Sequence, residues 1–394
     1  MAATELLFNP LLAEFHANPY PFYHRLRRED PVHHSTLGPW VLTRYDDVEL
    51  VLRDSRFGRA GFTPFLDTDE DRLPPSMLFR DPPDHTRLRS LVSRAFTPRV
   101  IEAMRAHIQE IVDRLLERVR AAGAMDLIAD LAYPLPVTVI CEMLGVPVED
   151  QARIQQWSTD VARSLDAIGM TADPQVAERG RIGRRALADY FRALLPERRR
   201  HPREDLLSSL IAAEERGDRL TEGELLTTCI LLFVAGHETT VNLIGNGVLA
   251  LLRHPDQLAR LRENPGLITS AVEELLRYDS PVQRTGRIPT ADVEIDGRTI
   301  PKGSMVVAAI GGANRDPAHF PEPDRLDLGR PDNRHLAFGF GIHFCLGAAL
   351  ARVEGQVAIG TLLDRLPGLA LATDTPEWRE SSVLRGLKAL PVRF

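Results

Sequence analysis

Apolar positions along the chain recur mostly at helical intervals. Ile101, Met104, Ile108, Ile111, Val112, Leu115, Leu116 and Val119 fall on one stripe of a 3.6-residue period, which predicts an amphipathic helix. Residues 150–195 predict two more helices, broken near Asp173-Pro174. Thr221-Glu222-Gly223-Glu224 has the form of a capping box, and no proline follows before Pro255. A long helix to about His254 is therefore predicted. Residues 267–278 predict another, stopped by Asp279-Ser280-Pro281. Leu346, Leu350, Val353 and Val357 predict one that begins just after Cys345, and Asp46 to Leu52 also reads as helical. Strand signals are fewer. Trp40-Val41-Leu42-Thr43, Met305 to Ile310 and the stretch from Val383 to Phe394 read as extended. Val293 to Ile300 reads as a hairpin turning on Asp296-Gly297. Residues 58–83, rich in Pro, Gly and Asp, predict a long loop of the kind that often serves as a lid. The basic run Arg198-Arg199-Arg200-His201-Pro202-Arg203 predicts a solvated loop. The fold class expected is mainly α with a small β region.

Composition narrows the functions open to such a chain. Its 394 residues are 44% hydrophobic and 26% charged, enough for a large core, and no repeat or linker-like segment divides them. The net charge of −7 gives no reason to expect a nucleic-acid partner. Cys141, Cys229 and Cys345 are widely spread, so a disulfide framework is not expected, which suits the cytoplasm. The N-terminus carries Glu5 and Glu14 and no basic start, unlike a signal peptide or anchor. The most apolar stretch, Cys229 to Ala235, is far shorter than the ~20 residues that span a bilayer. A soluble, cytoplasmic protein is expected, with no membrane partner.

Two segments carry chemistry. In Phe338-Gly339-Phe340-Gly341-Ile342-His343-Phe344-Cys345-Leu346-Gly347, a cysteine sits between a glycine-rich turn and a helix start. The free N–H groups and dipole there favour thiolate over thiol. A small buried residue is the commoner state of a free cysteine, and that reading suits Cys141 and Cys229. In the long helix, Ala235-Gly236-His237-Glu238-Thr239-Thr240 interrupts an apolar run with small residues, an acid and hydroxyls. Small residues would let a ligand lie against the helix, and a Thr hydroxyl can back-bond four residues earlier. His237-Glu238 also begins a zinc-protease helix, but the second histidine is missing, since position 241 is Val.

Phe338, Gly341, Cys345 and Gly347 fill every specified position of a Phe-x-x-Gly-x-x-x-Cys-x-Gly pattern, and Ala348-Ala349-Leu350-Ala351-Arg352 continues the likeness. This loop resembles the haem-binding loop of the cytochrome P450 family. The resemblance covers nearly the whole chain and implies a single domain over 1–394, with haem between the long helix near Ala235 and Gly236 and the helix after Cys345. Cys345 would be the axial ligand of haem b. Gly236-His237-Glu238-Thr239 matches the family's oxygen-activation motif, which implies Thr239 and Glu238 as the catalytic pair that manages protons. His85, Arg89, Arg287 and His343 match propionate-binding positions. Glu274-Leu275-Leu276-Arg277 matches the family's Glu-x-x-Arg, with Arg325 as the implied third member. Spacing alone reads the Glu274 and Arg277 pair as a surface ion pair worth ~0.3 kcal/mol, since both lie off the apolar stripe of their helix.

The family likeness also implies a substrate pocket drawn from Phe65, Leu78, Phe79, Leu232, Phe233, Val282, Gln283 and Val383, each with ordinary core packing as its rival. An apolar lining points to a lipophilic substrate, and the overall style resembles bacterial enzymes that tailor polyketides and macrolides. Neither lysine follows a glycine, and no Gly-x-Gly-x-x-Gly fingerprint follows a strand. No nucleotide-binding domain is expected, so electrons would come from a separate ferredoxin or flavodoxin with its NAD(P)H-dependent reductase. That donor would dock where Arg352, Arg94 and Arg99 supply positive charge. The reaction implied is insertion of one atom of O2, by hydroxylation or epoxidation, in a monomer. Rival readings are a peroxide-driven peroxygenase, a fatty acid, terpenoid or steroid hydroxylase, and a non-enzymatic haem protein.

Overall fold

A computed structural model describes residues 8–62, 73–167, 173–215 and 220–394. Its axis is the helix Glu222–Arg253, and the capping box that starts it is complete. Glu224 N donates to Thr221 Oγ1 at 3.2 Å, and Thr221 N donates to Glu224 Oε2 at 3.0 Å. Two orphan donors of the first turn are thereby satisfied. Helices Pro134–Leu144, Gln151–Arg163 and Pro174–Arg200 pack on this axis, as do Ile268–Tyr278 and Ala348–Arg365. It is long and apolar enough to cross a membrane, but 72% of that window is buried inside the protein. Its apolar surface is spent on the main core, where Leu225, Val241, Ile244 and Val248 are fully enclosed.

The small β region draws its strands from both sides of the long helix in sequence. A five-stranded sheet runs in the order Val32–His34, Trp40–Leu42, Val306–Ala308, Thr285–Pro289, Phe57–Gly58. Trp40–Leu42 and Val306–Ala308 are parallel, and the other neighbours antiparallel. The hairpin of Val293–Ile295 with Arg298–Ile300 turns on Asp296 and Gly297, both at positive φ, as a two-residue turn of this hand requires. The chain end, Pro391–Arg393, pairs with Ala124–Asp126 and Ala370–Leu371.

Four expectations change. The helix predicted through 101–119 is two, Pro98–Ala103 and Arg105–Arg120, meeting at Met104. Only His201 to Arg203 of the basic run form a solvated loop, because the helix from Pro174 continues to Arg200. Arg198 falls on the same face as Phe191 and Leu195 and is 1% exposed. It is answered by Asp205 at 3.3 Å and by the Gly145 carbonyl at 2.5 Å.

The Glu274–Arg277 pair is likewise buried rather than on the surface, both side chains being fully enclosed. The apolar stripe of Ile268–Tyr278 meets its helical neighbours, while its other face is covered by the segment from Asn314 to Asn333. Arg277 Nε and Nη2 donate to the two carboxylate oxygens at 2.8 Å, and Nη1 donates to the carbonyls of Asn314 and Pro323. The third member is Arg330, not Arg325. Arg330 Nε lies 3.2 Å from both Glu274 oxygens. The Arg325 side chain is 58% exposed on Glu322, and only its backbone carbonyl joins the network. Removing one partner of a buried ion network leaves the other uncompensated, at about 3–5 kcal/mol. Arg330→Ala is therefore expected to lower unfolding stability by about 3 kcal/mol, and Arg325→Ala by less than about 0.5 kcal/mol, as an exposed pair does. Urea titration of the two variants measures the contrast, and equal effects would refute the assignment.

Candidate active site

A cavity of about 860 Å³ opens between the long helix and the helix Ala348–Arg365. Its wall includes Cys345, held by a tight loop. Gly339 and Gly341 both sit at φ +71°, which a side chain rarely adopts. A Cβ on Gly341 would also come within 2.6 Å of the Leu52 carbonyl oxygen. Phe344 N donates to Gly341 O at 3.0 Å, and Cys345 N donates to Phe338 O at 2.9 Å, turning the sulfur to the cavity. Burial pushes the Cys345 thiol up, while the Gly347 N–H and the charges of Arg89 and Arg352 oppose the rise. Cys141 and Cys229 are buried off the cavity, with thiols pushed up to about 12 by desolvation.

On the long helix, Leu232, Ala235, Gly236 and Thr239 follow the i, i+3, i+4, i+7 spacing of one face, and all line the cavity. Thr239 Oγ1 donates to Ala235 O at 3.2 Å, the back-bond expected of it. Glu238 lines the wall too, buried, with Oε2 on Arg379 Nη1 at 2.7 Å and Oε1 accepting from Thr159 at 3.3 Å. His237 turns away from the cavity. It is fully buried between the Phe233 carbonyl, 2.8 Å from Nδ1, and the Ser158 hydroxyl, 3.3 Å from Nε2. The smallness of Gly236 also serves packing, since a Cβ there would lie 2.8 Å from Ile140 Cγ1. Arg379 gives no sequence signal, being 141 positions from the acid it meets.

His85, Arg89, Arg287 and His343 come together as the sequence implies, and Arg59, which sequence reasoning missed, joins them. The rings of His85 and His343 are 4.3 Å apart. Arg59 Nη2 and Arg287 Nη1 both donate to Thr285 Oγ1, at 2.5 and 3.3 Å. Arg89 Nη2 donates to Phe344 O at 2.6 Å. Desolvation and the neighbouring positive charges push His343 down to about 2, and desolvation holds Arg287 at about 10 and Arg59 well below its usual value. His85 Nδ1, His343 Nε2 and Arg59 Nε are buried with no hydrogen-bond partner. A crowd of cations with orphaned donors is costly unless an anion completes it. Two carboxylates on the edge of a flat ligand fit this cradle.

The expected pocket residues divide. Leu78, Phe79, Leu232, Val282 and Val383 line the cavity. Phe233 does not, because it lies on the opposite face of the helix and packs 5.1 Å from the His237 ring. Gln283 does not either. Its neighbours Val282 and Arg284 face the cavity, while Gln283 Nε2 donates outward to Tyr20 Oη and Ser280 O. Phe65 lies outside the described residues. Arg352 is less a free docking charge than a brace. It pairs bidentately with Glu273 at 2.7 and 2.8 Å and lies over the Phe338 ring, while Arg94 and Arg99 are exposed.

A protein with a cysteine at the wall of such a cavity, a propionate-like cradle, and an acid–threonine step on the facing helix has the architecture of a haem-thiolate enzyme. The Cytochrome P450 family model matches residues 4–381, and the chain belongs to that family. It is 48% identical to the vitamin D(3) 25-hydroxylase of Pseudonocardia autotrophica, covering 96% of this chain and 94% of that one. It is 46% identical to the cytochrome P450 monooxygenase PikC of Streptomyces venezuelae, covering 97% and 92%. Among solved structures, P450BioI in complex with acyl carrier protein ligated to hexadec-9Z-enoic acid superposes with a TM-score of 0.91 at 44% identity. That match covers 97% of this chain and 99% of that one. The protein is thus a monooxygenase of the family, whose cofactor is haem b with a cysteine axial ligand.

One wall residue is a second buried acid. Glu354 is fully enclosed with no ion-pair partner among the described residues, and burial pushes its pKa up to about 8, with the adjacent Thr240 hydroxyl opposing the rise. The unfolded chain ionises this group near 4.5, so between about pH 4.5 and 8 the unfolded state holds fewer protons. Stability then falls as pH rises through that window, by up to ~1.4 kcal/mol per unit. Thermal melts of the wild type should lose ground to Glu354→Gln from pH 5 to 8. Parallel melting temperatures across that range would refute the buried neutral acid.

Proposed function

We propose that this protein inserts one oxygen atom from O2 into a lipophilic small molecule held against the long helix, in secondary metabolism, with Cys345 as the haem ligand. The observation that carries the assignment is the wall itself. Among the described residues, Cys345 is the one cysteine that lines the cavity, and it shares that wall with Glu238 and Thr239. The residues fit haem: a sulfur turned inward by the Gly339–Gly341 loop, and the His85, Arg89, Arg287, His343 and Arg59 cradle for its propionates. When bound, haem supplies reductive activation of dioxygen, and a thiolate ligand favours O–O cleavage.

The chain's own residues then have defined tasks. Thr239 Oγ1 places a hydroxyl on the cavity face, where it can pass a proton received through Glu238. Glu238 is held between the partly exposed Arg379 and the cavity, which links its carboxylate to solvent. Leu78, Phe79, Leu232, Val282 and Val383 exclude water and hold an apolar substrate. Electrons would arrive from a separate ferredoxin or flavodoxin and its NAD(P)H-dependent reductase, meeting the exposed Arg94 and Arg99. The protein would act as a cytoplasmic, single-domain monomer. The fatty acyl carrier complex of P450BioI adds support for a lipophilic chain in a cavity of this shape.

Two measurements test this reading. Cys345→His should still bind haem, but its reduced carbon monoxide adduct should change from the thiolate type to the histidine type. An unchanged spectrum would remove Cys345 as the ligand. With a surrogate ferredoxin pair and a compound that shifts the ferric haem to high spin, Glu238→Gln should slow turnover about 10²-fold, within the range of a lost proton-transfer group. Thr239→Ala should keep NAD(P)H oxidation but divert at least four-fifths of its electrons from product to peroxide. Product and peroxide yields per NAD(P)H read the split, and full coupling in Thr239→Ala would dismiss its role.

A further inference from the structure

Arg284 has no place in the chemistry described so far. It is 5% exposed and lines the cavity, immediately before the strand that begins at Thr285. Its Nε and Nη2 donate to a single acceptor, Ser382 Oγ, at 3.2 and 2.6 Å. The nearest carboxylate is Asp166, 3.9 Å from Nη2. Asp166 Oδ1 is already occupied by Ser382 N, Ser382 Oγ and Val383 N, at 2.8, 2.8 and 3.1 Å. The other terminal nitrogen of Arg284, Nη1, makes no hydrogen bond among the described residues. A guanidinium is a rigid fork of donors, and one so deeply enclosed is expensive when half of the fork is unmet.

Among the described residues of the cavity wall, no other acid answers it. Glu238 is engaged by Arg379, and Glu354 is kept neutral by burial. The cations of the propionate cradle have their own anions assigned. Beyond Ser382 and Asp166, the cavity that Arg284 lines is walled largely by apolar side chains, Leu165, Val282 and Val383 among them. A buried cation on a largely apolar wall matches a ligand with one anionic end and a hydrocarbon body.

We propose that the substrates are lipophilic carboxylic acids and that Arg284 determines specificity by receiving the carboxylate on Nη1. This deepens the monooxygenase reading and rests on it. Anchoring one end against Arg284 also fixes which carbons can reach the reacting centre, so the oxidised position is counted from the carboxyl end.

The probes are dodecanoic, tetradecanoic and hexadecanoic acids and their methyl esters, titrated into the ferric holoprotein while its spin-state spectrum is followed. Wild type is expected to bind the best acid at least tenfold more tightly than its ester. Arg284→Gln should erase that preference, and Arg284→Lys, which keeps the charge, should retain part of it. Equal affinity for acid and ester in wild type, no response to either, or a preference that survives in Arg284→Gln would each overturn the proposal. Haem content and the reduced carbon monoxide spectrum are recorded for every variant. Their failure in wild type sinks the haem-thiolate reading itself. Their loss only in both Arg284 variants would make Arg284 a structural or haem contact and overturn its role toward substrate.

Discussion

The Glu274 carboxylate is the group on which the arrangement of the site depends. It is fully buried, and it is tolerable there because two guanidiniums, the Asn333 amide and the Asp327 N–H all point at it. Those donors come from two places in the sequence, Arg277 on the same helix and the segment 327–333. Satisfying one anion therefore ties the helix Ile268–Tyr278 to the segment 327–333, which leads directly into the cysteine loop. Arg277 extends the tie to the Asn314 carbonyl, and Asn314 Oδ1 accepts from Leu336 N at 2.7 Å. Glu273, the next residue along the chain, adds the Arg352 brace from the far end of the loop. The loop is pinned at entry and exit by two neighbouring carboxylates of one helix. A buried ion network is a poor source of net stability, but it is intolerant of misplacement. That intolerance suits a loop whose task is to aim one sulfur.

The same logic governs the cavity. A protein that folds around a large bound group must leave its binding side chains unsatisfied until the group arrives. His85, His343 and Arg59 show this as orphaned nitrogens, and the depressed values of His343 and Arg287 show it as electrostatic tension. Such residues cost stability in the empty fold and return it on binding. The cradle is thus a record of the ligand's charge, written in the protein's own unpaired donors.

Local features of the fold were legible in the sequence, and features that depend on distant partners were not. The capping box at Thr221 and the glycine loop before Cys345 act through their own neighbours, so the pattern predicts them and the structure repeats them. Arg198 reads as solvated because a charge run usually is, and the Glu274–Arg277 pair because it lies off the apolar stripe of its helix. Their burial depends on Asp205 and Arg330, which spacing does not reveal. Arg325 and Arg330 lie five residues apart in one irregular segment, and only the backbone path decides which side chain turns inward. Phe233 and Gln283 were misplaced by one position. On a helix or strand, that is enough to move a side chain from the cavity wall to the core. Arg59 was invisible for a further reason, since its partner Thr285 is 226 residues away.

The two acids on the cavity wall show how environment, rather than residue type, assigns a task. Glu238 and Glu354 carry the same carboxyl group and lie near the same turns of the long helix, with Thr239 and Thr240 beside them. Glu238 meets Arg379, a partly exposed arginine, at 2.7 Å. Glu354 has no such partner among the described residues, and burial holds it neutral at pH 7. Like groups placed in unlike surroundings are a common way to separate roles inside one site. In the proposed mechanism, the acid paired with Arg379 is the one that handles protons. The neutral acid adds no negative charge to the wall, so the anionic end of a ligand meets no repulsion from it.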